Sequence, residues 1–113
     1  MSISSYNYFK KRAISGDPES QYLIAQKLEE GEDVEMNKKE AEMWYRRASE
    51  KGHPYSNYIV SIMEADRGNL QKAKKFLQKA MDSGVECFLE MDILEEKLRS
   101  KRKRKNENED KEN

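Results

Sequence analysis

A chain of 113 residues, 35% hydrophobic and 39% charged, is one domain at most and lacks the apolar material for a thick globular core. One cysteine excludes an internal disulfide and suits a reducing compartment; one Cys and one His cannot furnish a zinc site alone. The formal charge is zero, but residues 97–113 carry eight basic against four acidic side chains and residues 1–96 fourteen against eighteen, a split that bears on association rather than on fold.

Six helical segments follow in chain order, at about 4–15, 18–30, 37–51, 54–67, 69–83 and 85–100. The N-terminus shows no basic region leading into an apolar core, as a secretory signal would. Gly16 closes the first segment. Asp17-Pro18 opens the second, with a capping carboxylate ahead of a proline whose missing N–H does no harm at the first helical position. Tyr22, Ala25 and Leu28 form its apolar stripe, and Gly31 ends it. Asn37 with Glu40 resembles a capping box at the head of the third segment, whose stripe is Ala41, Trp44, Tyr45 and Ala48, closed by Gly52. His53-Pro54 repeats the Asp-Pro opening with a poorer cap. Gly68 and Asn69 separate the fourth and fifth segments, Asn69 being the expected cap, and the fifth carries Ala73, Phe76, Leu77 and Ala80 before Gly84. No segment alternates with period two, and no run nears the roughly 20 apolar residues of a membrane helix. From about Ser100 the pattern stops. Lys101, Arg102, Lys103, Arg104 and Lys105 form a basic block, and Asn106 to Asn113 contains only Asn, Glu, Asp and Lys. A segment with nothing apolar to bury is expected to be disordered.

The segments repeat. Ala41, Trp44, Ala48 and Gly52 recur at Ala73, Phe76, Ala80 and Gly84, each 32 residues on. Periods of 30 to 40 residues built from helix pairs indicate an α-solenoid. The run Ala13-x-x-Gly16-Asp17-Pro18-x-Ser20-Gln21-Tyr22-x-Ile24-Ala25-x-x-Leu28, continued by Gly31, Val34, Asn37 and Ala41-x-x-Trp44-Tyr45-x-x-Ala48, resembles a Sel-one-like repeat, a branch of the tetratricopeptide-like solenoids. A second unit, about Gly52 to Gly84, matches less closely: Ser56-Asn57-Tyr58 and Val60-Ser61 hold the small-Gln-Tyr and Leu-Gly positions, and Glu64 stands where an aromatic is usual. The segment at 85–100 reads as a terminal cap, with Phe88 in the place of Ser20 and Ser56.

The resemblance implies an all-α fold, a short right-handed superhelix of about six helices. Residues 1–100 form the repeat domain and 101–113 the charged tail. Gly16, Ala25, Trp44, Tyr45, Ala48, Gly52, Phe76, Ala80 and Gly84 are the structural repeat positions. Two and a half units are near the lower limit for a stable array, so either the monomer's caps suffice or a partner completes the solenoid.

Catalysis finds little support. His53 precedes a proline at a helix start and reads as a turn residue rather than a general base. Cys87 near the head of the last helix is a candidate for a lowered thiol pKa, although a packed bystander is the plainer reading. The glycines sit at helix ends and form no phosphate-cradling loop. No enzyme, metal or cofactor is expected. The family pattern instead implies protein binding on the concave side, lined by 18–30 and 54–67, with Tyr22, Gln26, Tyr55, Tyr58 and Ile62 facing inward. Tyr22 and Tyr58 have a second reading, as packing between helices. The basic block reads as a solubilising tail, a nuclear-import signal or a contact to nucleic acid or an acidic protein. An adaptor in the cytoplasm, or in the nucleus of a eukaryote, is the expected role; a nucleic-acid-associated protein acting through 97–105 is the alternative.

Overall fold

The computed structural model describes residues 5–112. It contains six helices and, among the described residues, no strand: α1 Ser5–Ile14, α2 Pro18–Glu30, α3 Lys38–Glu50, α4 Pro54–Asp66, α5 Leu70–Asp82 and α6 Phe88–Glu112. The expected first helical position, residue 4, and the N-terminal segment read for a signal lie outside the described residues. Each helix packs chiefly on its neighbours in sequence, so α2/α3 and α4/α5 are the repeat hairpins, flanked by α1 and α6.

The helix ends follow from short-range chemistry. Asp17 accepts the backbone N–H of Ser20 at 3.2 Å and Asn37 that of Glu40 at 3.0 Å. Gly52 and Gly84, 32 residues apart, close α3 and α5 at φ 87° and 96°, a conformation that a Cβ disfavours. Asn69 departs from expectation. It makes no side-chain cap bond to α5; its Nδ2 donates instead to Glu64 Oε2 at 2.8 Å.

Small residues let the helices approach, and large ones fill the space between layers. Ala25, Ala48, Ala73 and Ala80 are fully buried, as are Tyr45 and Leu77, with Trp44 nearly so. One core cluster joins α1 to α4 through Tyr6, Ile24, Leu28, Trp44, Tyr45 and Val60, with Val34 of the α2–α3 loop and Phe76 of α5 packed against it. A second joins α5 to α6 through Ala73, Leu77, Ala80, Cys87, Met91 and Leu94.

Glu64, in the place of the usual aromatic, is buried but satisfied. Arg46 donates to it at 2.6 Å and Asn69 at 2.8 Å. Arg46 also reaches Glu42 at 3.1 Å, and Arg67 pairs with Glu42. A polar network therefore ties α3 to α4 at the position where this unit departs from the family pattern. The Asn69 hydrogen bond, then Arg46, holds the Glu64 carboxyl below its ordinary range.

The last helix corrects one expectation. Cys87 and Met91 take the buried places that Ser56 and Val60 hold in α4, an offset of 31 rather than 32. Phe88 is therefore 67% exposed instead of filling the position of Ser56. The helix also runs past residue 100 to Glu112. Lys101 to Asn108 bury nothing, every side chain being exposed, but Lys, Arg and Glu favour helix and neither Gly nor Pro interrupts the run. Helicity there rests on propensity, the condition under which helices are marginal in water. The extension accounts for long dimensions of 72 × 28 × 21 Å and a radius of gyration of 17.8 Å, against roughly 13 Å for a compact chain of this length.

Candidate functional site

Four rings come together where the first hairpin meets the second. Tyr22 of α2 stacks on His53 with centroids 4.6 Å apart and planes at 28°, and lies 6.3 Å from Tyr55 at 27°. Tyr45 of α3 is tilted against Tyr22 at 6.0 Å. The local reason is the helix head. His53 is the N-cap of α4, its Nδ1 accepting the N–H of Ser56 at 3.2 Å, which places the ring between α2 and α4. With Nδ1 an acceptor, Nε2 carries the hydrogen and donates to Glu19 at 2.7 Å. Gln26 Nε2 donates to the Tyr22 hydroxyl at 2.9 Å, and the Tyr45 hydroxyl donates to Glu29 at 2.7 Å.

The ledge is apolar on its faces and acidic at its rim. Burial, then the charge of Glu19, raises the Tyr22 hydroxyl above its ordinary pKa. Burial and the bond to Glu29 push that of Tyr45 far higher. Both stay protonated and neutral across the physiological range. Tyr55 is 58% exposed and is the ring most open to a ligand. Ile62, seven residues on along the same side of α4, is also exposed.

The five residues expected on the concave side thus divide. Tyr22, Gln26 and Tyr55 are brought together, Ile62 stands free further along α4, and Tyr58 turns the other way. Tyr58 is half-buried against the second core cluster, its hydroxyl 3.4 Å from Glu90 of α6, so it packs between helices. Tyr22 combines the two readings, half-buried yet part of the ledge. His53, Glu19 and Glu29 were not legible as site residues. The available signal was the 36-residue offset from Asp17 to His53, which marks equivalent caps; a cap with a ring has a second surface to offer.

The remaining candidates lie elsewhere. Lys101, Arg102, Arg104 and Lys105 line one side of an open groove of about 740 Å³ whose other side is the head of α5, including Leu70 and Lys72; Lys103 is exposed outside it. Cys87 is buried, and burial followed by the charge of Glu90 raises its thiol rather than lowering it, which removes the reactive-thiol candidate. Among the described residues no three metal-ligating side chains converge, and no helix is long and apolar enough to cross a membrane.

Known proteins match this architecture. A solved Sel1 repeat protein from Oxalobacter formigenes superposes with a TM-score of 0.68 at 26% identity, covering 74% of this chain and 65% of that one. The TBC1 domain family member 31 of Xenopus laevis is 40% identical over 60 residues, which is 51% of this chain but 5% of that protein. The chain thus spans less than two thirds of either relative. The family description Sel1 repeat matches residues 18–53 and 63–85, just over half the chain, covering both hairpins apart from the head of α4. Repeats of this kind generally serve as protein-interaction modules, and on this evidence the chain belongs to the Sel1 repeat family.

Proposed function

We propose that the chain is an adaptor or small scaffold that binds a protein segment across α2 and α4, with Tyr55, Tyr22, Gln26 and Ile62 as its contacts. One observation carries this reading: an exposed Tyr55 ring held beside a Tyr22–His53 stack, with carboxylates at the rim. Such a ledge suits a segment bearing an aromatic or basic side chain, which gains apolar contact, cation–π attraction and an ion pair together. Tyrosine brings this area with little rotamer entropy to lose.

The test is a nuclease-treated affinity capture with the natural chain and with Tyr55→Ala/Ile62→Ala. Both side chains are exposed, so the double variant is expected to melt within a few degrees of the parent while its protein partner is lost. Full retention of the partner by a folded double variant contradicts the reading.

A second reading is favoured by the groove, where Lys72 joins four residues of the basic block: a nucleic-acid contact through α6. Phosphate binding of that kind weakens steeply with salt and disappears with nuclease. Recognition on the tyrosine ledge does neither.

A further inference from the structure

Helix α6 is divided into blocks of charge. Residues 86–96 hold five acidic side chains (Glu86, Glu90, Asp92, Glu95 and Glu96) and no basic one, whereas residues 97–105 hold seven basic side chains and no acidic one. The body packs on a narrow seam: among the described residues, Cys87 just ahead of α6 and Met91, Leu94 and Leu98 on it, at spacings of four, three and four, are the buried side chains. The opposite side is open and begins with apolar residues. Leu89 is 69% and Ile93 46% exposed, with Phe88 beside them. Helical spacing places Glu96 and Lys103 further along the same side, and from Lys101 to Asn108 nothing is buried at all.

We propose that α6 pairs antiparallel with α6 of a second copy of this chain, through the side turned away from α5. Charge selects both the occupant and its direction. A parallel pair would set basic block against basic block and acidic block against acidic block. An antiparallel pair centred near Lys97 sets each acidic block beside the other copy's basic block. The arrangement is two-fold and self-complementary, so it closes at two copies. Leu89 and Ile93 then lie against the aliphatic stems of Lys and Arg, which cover apolar surface while their charges reach the facing carboxylates. The overlap from Phe88 to Asn108 is roughly 31 Å of helix at 1.5 Å per residue. Pairing would also support the half of α6 that propensity alone sustains in the single chain.

The experiment is sedimentation of the full chain, before and after nuclease treatment, across concentration at low and high salt. Three forms are compared: the natural chain, Glu86→Lys/Asp92→Lys/Glu96→Lys, and Lys97→Glu/Arg99→Glu/Lys103→Glu. All six positions are exposed, and circular dichroism checks that each variant folds. The natural chain is expected at twice the 13.4 kDa of one copy, dissociating about tenfold or more readily at high salt. Each reversed form alone is expected as a single copy, and the two mixed are expected to form a pair again. A natural chain that stays single at every concentration overturns the proposal. So does a pair that survives both reversals. A mass that keeps growing with concentration overturns it in favour of end-to-end stacking, and one that falls to a single copy only after nuclease assigns the basic block to nucleic acid instead.

Discussion

Glu64 shows how much one substitution within a repeat can reorganise. An aromatic at this position would fill space between helices; a carboxylate must be matched, and Arg46 and Asn69 match it. Removing one partner of a buried pair leaves the other uncompensated. Because Arg46 is about one-third exposed, Glu64→Ala is expected to cost about 1–3 kcal/mol, less than a fully buried pair, measured by urea unfolding. The same carboxyl links stability to pH. Its pKa is lowered in the fold, so the unfolded chain binds more protons once the pH falls below the ordinary 4.5. Stability is therefore fully present above that value and declines below it, and Glu64→Gln is expected to flatten the acid limb of a melting-temperature profile. An unchanged acid limb would show that other carboxylates govern it. His53 allows a similar separation. His53→Ala removes both the cap acceptor and the ring beneath Tyr22, with an expected loss of about 2 kcal/mol. His53→Asn keeps a capping oxygen and is expected to recover about half; equal losses would mean that the cap contributes nothing.

Helix by helix, the chain is legible where the determining chemistry is local. Asp17, Asn37 and the repeated glycines are read from neighbours within a turn, and α2, α3, α4 and α5 fall within a residue of their expected bounds. Illegible features depend on distant partners. Asn69 looks like a cap in sequence, but a carboxylate on the preceding helix captures its side chain. The start of α6 follows a loop rather than the 32-residue period, which moves Cys87 into the seam and Phe88 out of it. The outer turns of α6 stay helical because lack of burial does not stop a run of good helix formers. Among the candidate ledge residues, Tyr55 and Ile62 stand exposed, whereas Tyr58 answers to α6. Leu98 tests the account of α6. It is the last buried side chain of the seam, so Leu98→Ala is expected to cost about 2 kcal/mol or more and to reduce helical ellipticity by fraying everything beyond it. Unchanged ellipticity would mean that the outer half of α6 is independent of the seam.

Across the whole molecule, two surfaces are proposed to divide the work of association. The tyrosine ledge lies between the hairpins and is built on two packed helices. The charged flank of α6 forms one end of a molecule 72 Å long and is proposed to meet its own copy. Two ledges on one pair would raise avidity for a partner carrying two segments without any new contact. The arrangement fits a family of repeats that presents surfaces rather than reaction centres.

The account rests on recognition at the ledge, and hydrogen exchange of the chain with and without its captured partner measures this most directly. Slowed exchange in residues 19–26 and 53–62, with α5 and the basic stretch of α6 unaffected, is the predicted result. Protection confined to residues 97–108, with α2 and α4 exchanging as in the free chain, would contradict it.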